Sequence, residues 1–245
     1  MMNKFYLIFL IGLLVFGCSK DTCKDVDRGV YIYPEKPSDM SFLDALEFYK
    51  IPENVLQCIS TDALIQTCIS YPEISLIWTR NSLQQGFDYI KKNCNGFEEL
   101  LNRSDGYSEI VNDYKQLDIN RNWNSYSVLE NGHYIVNIIY HELFLAQNEI
   151  LMSLTKDQKI ELFQLVLDNQ KLKFELREHY GIVGMESSLA ILARIMYNDQ
   201  YQAFMKVYEI NELLRLEIAL IIILDSDLVD IITNLSEVYL KTLKN

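Results

Sequence analysis

Residues that break helices are scarce in this chain. Its 245 residues include nine glycines and four prolines, and no proline follows Pro72. A turn-rich β fold needs many more such residues at its turns, so their scarcity favours helices. The same shortage leaves no glycine-rich loop of the kind that cradles phosphates, because Gly181 and Gly184 have neither a preceding strand pattern nor a following lysine.

Histidine is equally scarce, with three residues in the whole chain. His133 and His141 are eight positions apart, which on a helix is about 12 Å and too far for one metal ion. His141-Glu142 begins like a zinc-protease motif, but Leu145 stands where the second histidine is required. The position of His179 near a helix end is typical of a residue that caps carbonyls. The sequence therefore predicts no metal site, no cofactor and no assembled catalytic constellation.

Basic residues are outnumbered by acidic ones. The chain has 22 Lys and Arg against 34 Asp and Glu, which gives a net charge of −12. A body of this charge is repelled by nucleic acid and by anionic lipid, so neither is an expected partner.

Apolar residues recur at helical spacing through most of the chain. The pattern in 134–152 is carried by Ile135, Ile139, Leu143, Ala146 and Ile150, and it predicts one long helix. Thr155 and Gln158 have the spacing of a capping box, which predicts a helix start there. Further helices are predicted over 41–49, 52–59, 61–71, 72–79, 83–93, 97–102, 107–116, 185–196, 201–208, 213–224 and 228–239; that over 213–224 is apolar nearly all round and is expected to be a buried central helix.

About a dozen helices with short connections predict an all-α fold. The architecture expected is an irregular α-α superhelix of stacked antiparallel helix pairs, and a compact irregular helical bundle is the alternative. No self-similarity at 34 or 40 residues supports a regular repeat family.

The N-terminus has the pattern of a lipoprotein signal. Lys4 is followed by a twelve-residue apolar run, too short for a spanning helix, and Gly17 precedes Cys18 at the point where the chain becomes polar. Residues 1–17 are thus predicted to be a signal peptide and Cys18 the lipidated cysteine. An ordinary secretory signal with a chance cysteine is the alternative. Ser19 after the cysteine resembles the outer-membrane sorting choice of Gram-negative lipoproteins.

Residues 18–40 are polar and aperiodic and are predicted to be a tether, with one helical domain over 41–245. Four cysteines remain after Cys18, namely Cys23, Cys58, Cys68 and Cys94. An even count in an exported chain is compatible with disulfides. The apolar neighbours of Cys58 and Cys68 instead favour buried free thiols, which is the interpretation adopted here.

Five segments of the chain, in this order and spacing, resemble segments of one protein family. They are IPENVL (51–56), STDALIQTC (60–68), NGFEELLNR (95–103), LTKDQK (154–159) and LARIMY (192–197). With them the chain resembles an uncharacterised family of Bacteroidetes helical lipoproteins. The resemblance implies an all-α fold and lipid anchoring, and it implies no activity and no functional residue.

The segment 118–131 is the one stretch that helix packing does not explain. It is polar and rich in asparagine, and it contains Trp123 and Tyr126 flanked by Asn122 and Asn124. Aromatic and amide side chains together suit contact with a sugar or a protein partner. The alternative, which we favour, is that Trp123 and Tyr126 fold back to seal the junction between the two halves of the chain.

The function expected from these features is that of a lipid-anchored, non-enzymatic module that binds another envelope protein. A glycan- or small-ligand-binding lipoprotein of a nutrient-uptake system is the alternative, and a hydrolase with scattered site residues is a third. A ligand pocket around Trp123 and Tyr126 would favour the second.

Overall fold

The computed structural model describes residue 23 and residues 29–212, 214–215 and 226–245. Within these residues the chain forms fourteen helices and no strand, so the all-α prediction is confirmed. The α-helices are α1 (Phe42–Phe48), α2 (Glu53–Leu56), α3 (Thr61–Ile69), α4 (Leu83–Asn93), α5 (Asn95–Asn102), α6 (Gly106–Gln116), α7 (Val128–Leu145), α8 (Asn148–Leu151), α9 (Lys156–Glu175), α10 (Arg177–Asn198), α11 (Gln202–Ile210) and α12 (Ser226–Lys244). Two 3-10 helices cover Ile74–Thr79 and Trp123–Ser125.

The capping box at the start of α9 is confirmed: the Thr155 hydroxyl accepts from the Gln158 amide, and the Gln158 side chain accepts from the Thr155 amide. The single helix predicted over 134–152 is wrong at both ends. Helix α7 starts earlier, because Ser127 and Glu130 form a second capping box. It stops at Leu145, because the buried Gln147 side chain donates to the Leu143 carbonyl while the Gln147 backbone amide turns to Phe144.

Helices that are neighbours in the chain pack as antiparallel pairs. Lys173 near the end of α9 bonds Gly184 in the first half of α10, and Lys159 near the start of α9 pairs with Asp199 just after the end of α10, so these two helices run in opposite directions. Helices α6 and α7 are antiparallel for the same reason, since Tyr114 bonds Glu142 and Asp118 bonds Tyr134. Helix α10 packs against α7, α9, α11 and α12, and it is therefore the central helix of the C-terminal half.

One cysteine interpretation is wrong. Cys23 and Cys58 form a disulfide with a Cα–Cα distance of 5.4 Å, whereas free thiols were expected. Cys58 does lie in an apolar environment, but burial of one partner does not exclude a bond to a second cysteine that the chain brings alongside. Cys68 and Cys94 are free and buried, as was expected for Cys68.

The end of the predicted tether is packed on the domain. The Tyr31 backbone amide donates to the Thr67 hydroxyl at 3.0 Å, and the Tyr33 ring makes edge contacts with Tyr49 and Tyr71. The ordered body thus includes residues before 41, the first residue of the predicted domain.

Some predictions fall outside the described residues. These are the signal peptide, the lipidated Cys18 and most of the helix expected over 213–224, of which only buried Leu214 and exposed Arg215 are described. In the part of the chain that is described, no helix has the length and apolar character needed to cross a membrane.

Candidate functional site

The junction between the two halves of the chain holds Trp123 in its interior. The side chain is 6% exposed, and its ring stacks on His179 at 5.1 Å with an interplanar angle of 9°. Tyr134 and Tyr180 meet the same ring edge-on. Trp123 is therefore folded back into the junction, as in the alternative that we favoured, and its ring is not available as a surface contact. His179 serves as a stacking partner here, not as the carbonyl cap expected of it.

The rest of the predicted contact set lies on the surface. Tyr126 is 48% exposed, and Asn122 and Asn124 are also exposed. The Arg121 guanidinium lies 3.6 Å from the centre of the Tyr126 ring and 4.2 Å from that of Tyr134. This stacking holds Tyr126 against the junction while one side of its ring faces solvent.

Sequence reasoning missed two exposed apolar residues beside Tyr126. Val128 and Leu129, the first two residues of α7, are 90% and 68% exposed. The capping box of Ser127 and Glu130 fixes the backbone that carries them. We call Tyr126, Val128 and Leu129 the α7 patch. A patch of apolar side chains on a rigid helix start, with a cation beside it, suits contact with a protein better than with a sugar.

A cleft of about 750 Å³ lies away from the α7 patch, between α4, α5, α6 and α8. Lys91 pairs with Glu149 in its wall, whereas Lys92 and Glu98 make no ion pair with any described residue. Tyr107 gives the cleft an aromatic side. Its lining is mixed in charge and includes none of the residues predicted for ligand contact.

The interior contains a fully buried ion pair that sequence reasoning did not find. Lys173 Nζ donates to both carboxylate oxygens of Glu142, at 2.6 and 2.5 Å, and both side chains are 0% exposed. Lys173 also donates to the Gly184 carbonyl and the Ser188 hydroxyl. Glu142 accepts further bonds from the hydroxyls of Tyr114, Ser187 and Ser188. Burial lowers the pKa of Lys173, and the carboxylate opposes that shift.

The lysine and serine of this cluster have the spacing of a nucleophile and its base. Ser188 Oγ lies 2.8 Å from Lys173 Nζ. Both side chains are fully buried, however, and the lysine already has a carboxylate partner. A substrate has no access to the hydroxyl, so the geometry does not support the hydrolase alternative at this cluster.

His141 is a second buried polar group with both ring nitrogens bonded. Nδ1 donates to the Asn137 carbonyl at 2.8 Å, and Nε2 lies at hydrogen-bond distance, 2.6 Å, from an oxygen of the Asp113 carboxylate. Gln66 donates to the same carboxyl oxygen. These bonds join α3, α6 and α7, and they account for His141 without a metal. Among the described residues, no group of three or more His, Cys, Asp and Glu side chains has the arrangement of a metal site.

Glu186 on α10 is buried with neither carboxylate oxygen bonded to a described residue. Burial raises the pKa of Glu186 from 4.5 to about 7. Between these two pH values the unfolded chain loses a proton that the folded chain keeps, so stability falls as the pH rises from about 4.5 to 7. The loss is complete above about pH 7.

Glu186→Gln should remove this pH dependence. The amide imitates the neutral acid and cannot ionise, so we expect equal stability at pH 4 and a gain of roughly 3 kcal/mol at pH 8. Urea unfolding at a series of pH values measures this. Glu178→Gln is the control, an exposed change in the segment of α10 before the break at Gly181, and it should leave the profile of the parent protein unchanged. A Glu186→Gln profile parallel to the parent's would contradict the assignment.

Comparison with known proteins adds no identity to this geometry: no family model, no curated protein and no solved structure matches the chain.

Proposed function

We propose that the chain is an exported lipoprotein, anchored by a lipid on Cys18, which binds another envelope protein and carries no catalytic activity. The Cys23–Cys58 disulfide is the observation that supports export most directly. Disulfides persist in oxidising compartments and are rare in the cytosol. The signal pattern that ends at Gly17-Cys18 and the resemblance to Bacteroidetes helical lipoproteins support lipid attachment, and Ser19 supports an outer-membrane location. A triacylated cysteine holds a protein firmly at a bilayer, whereas one chain alone binds marginally.

Cys18→Ser should abolish lipid attachment. We expect the variant to incorporate no labelled fatty acid and to leave the membrane fraction, because the serine cannot form the thioether on which acylation depends. Cys23→Ser is the matched control, since it changes a nearby cysteine and should retain the label. The anchoring would be refuted if Cys18→Ser stayed in the membrane fraction and the parent protein incorporated no labelled fatty acid.

The α7 patch supports the protein-binding part of the proposal. Its apolar side chains are exposed on a capped helix start, and Arg121 adds a cation at their edge. Aromatic and arginine side chains are the residues most often found at the energetic centre of protein interfaces. The three residues of the patch lie outside the cleft of about 750 Å³, so a small ligand held in that cleft would not contact them.

Val128→Ser combined with Leu129→Ser should weaken partner binding without unfolding the protein. Exposed side chains contribute little to stability, so we expect a change within about 0.5 kcal/mol. Loss of a central contact of about 2 kcal/mol would lower affinity roughly thirtyfold. Quantitative pull-down from membranes compares the double variant with the parent protein.

Val238→Ser is the control for that experiment, because Val238 is 53% exposed on α12. It should recover the same partner in the same amount as the parent. Equal recovery by the patch variant would remove the α7 patch from the proposal.

The cleft supports a second candidate function, that of a lipoprotein binding a small polar ligand. Lys92, Glu98 and Tyr107 offer a cation, an anion and an aromatic side within about 750 Å³. Absence of any partner that depends on the α7 patch, together with saccharide binding that is lost in Lys92→Ala, would favour this function over the first.

A further inference from the structure

A second set of exposed apolar side chains lies at the start of the described body. Val30, Ile32, Phe42 and Leu43 are 45%, 86%, 43% and 71% exposed, and we call them the N-terminal patch. In residues 30–33, Tyr31 and Tyr33 alternate with Val30 and Ile32, and the two tyrosines pack inward on the core. The inward rings hold the segment to the body, and Val30 and Ile32 are left on its outer side.

The two parts of the N-terminal patch are on adjoining elements. The Tyr33 ring lies 5.9 Å from the ring of Tyr49, which caps the end of α1. Phe42 and Leu43 form the first turn of the same helix. That helix has seven residues and is about 10 Å long, so the two parts of the patch are on elements that contact each other.

The disulfide places this region close to the anchor. Cys58 precedes α3 on the body, and it holds Cys23 there. Cys23 is five positions after Cys18, which is at most about 17 Å of extended chain. Without the disulfide, the bond of the Tyr31 amide to Thr67 would still hold the chain to the body; Tyr31 is thirteen positions after Cys18, and the same arithmetic gives about 45 Å.

The shorter length restricts how the domain can face a bilayer. A domain of about 200 residues has a radius of gyration near 17 Å. A leash of about that length keeps the side that carries Cys58 toward the membrane, whereas about 45 Å of chain would let the domain turn over. Val30 is seven residues from Cys23 and so within about 25 Å of it. The N-terminal patch therefore belongs to the side that the leash holds down.

We propose that the N-terminal patch rests on the surface of the lipid bilayer, and that the Cys23–Cys58 disulfide holds it there. This inference depends on the proposed acylation of Cys18. Exposed acidic residues Glu35, Asp39 and Asp44 border the patch, so the surface it fits is a zwitterionic one and anionic lipid opposes its approach. Apolar side chains that enter the interfacial region then add to the binding supplied by the acyl chains.

Tryptophan scanning in vesicles tests this proposal. Acylated full-length protein is reconstituted into phosphatidylcholine vesicles with brominated acyl chains, which quench tryptophan fluorescence at short range. The parent protein already fluoresces from Trp78 and Trp123, so its emission is subtracted from that of Ile32→Trp. The remaining fluorescence, which comes from the new tryptophan, should be quenched. Val128→Trp is the control on the α7 patch, which is equally exposed, and its signal should not be quenched. Adding anionic lipid should reduce the quenching of Ile32→Trp.

A second variant tests the disulfide. Cys23→Ser combined with Ile32→Trp should remain bound to vesicles but lose part of the quenching, because the longer leash lets the domain move away. Quenching that is unchanged by Cys23→Ser overturns the role given to the disulfide.

The failures of the two proposals are distinguishable. Vesicle-bound, acylated protein in which Ile32→Trp is quenched no more than Val128→Trp overturns the bilayer contact and leaves the lipoprotein proposal standing. Protein that carries no lipid on Cys18 refutes the proposed function and this inference with it.

Discussion

Lys173→Met should destabilise the protein by about 3–5 kcal/mol. The change removes the cation from a carboxylate that is 0% exposed, and the Glu142 charge is then left in the interior with neutral donors alone. The hydroxyls of Tyr114, Ser187 and Ser188 still donate to the carboxylate and reduce the destabilisation, but they supply no positive charge. Urea unfolding followed by helical circular dichroism measures the effect.

Two variants make that result specific. Lys171 is two residues before Lys173 on α9, and it pairs with Glu237 on α12. Lys171→Met breaks that ion pair, in which both side chains are more than 40% exposed. That pair should contribute less than about 1 kcal/mol, since solvent screens it. Adding Glu142→Gln to Lys173→Met should restore much of the lost stability, because the amide keeps an acceptor for Tyr114 and removes the unpaired charge.

Equal costs for Lys173→Met and Lys171→Met would show that the buried pair is not what holds α7, α9 and α10 together. A double variant less stable than Lys173→Met would show that the hydrogen bonds of Glu142, and not its charge balance, dominate the cluster.

The helices could be predicted where a local signal starts or ends them. Apolar periodicity places α4 over the predicted residues, and the Thr155–Gln158 capping box places the start of α9. The Ser127–Glu130 box carries the same signal in the sequence and could have placed the start of α7. The end of α7 could not be predicted, because it depends on a buried Gln147 side chain that competes for a helix carbonyl.

Contacts between residues far apart in the chain could not be predicted from the sequence. Glu142 stands within an apolar run, which is a sign that a charged residue is buried, but nothing local points to Lys173 thirty-one positions later. The Cys23–Cys58 bond has the same character, since spacing alone does not select a pair among four cysteines. Both depend on how the helices pack and not on any short motif.

The candidate surface was predicted in part. The segment 118–131 does lie at a junction, and Tyr126, Asn122 and Asn124 are exposed as contact residues must be. Val128 and Leu129 were missed because the helix was predicted to start only at residue 134, and in the segment 118–131 the aromatic and amide residues alone were singled out. Exposure at the first turn depends on the direction in which the cap aims the helix, and the sequence does not record that direction.

Trp123→Ala should cost about 3–5 kcal/mol of stability. The ring is 6% exposed and is enclosed by His179, Tyr134 and Tyr180, so its removal leaves a cavity that rigid aromatic neighbours cannot fill. Tyr126→Ala, which removes a half-exposed ring stacked on Arg121, should cost no more than about 1 kcal/mol. The two changes are three residues apart and therefore separate burial from position in the chain.

Trp123→Phe isolates what the indole contributes. The Trp123 Nε1 has no hydrogen-bond partner among the described residues, so phenylalanine loses volume but no bond, and it removes an unsatisfied donor from the interior. We expect a cost of about 1 kcal/mol, well below that of alanine. If Trp123→Ala instead unfolds at the same urea concentration as the parent and loses partner binding, the ring is a surface anchor in solution. The buried junction would then be wrong, because a side chain that fills the interior cannot be removed without loss of stability.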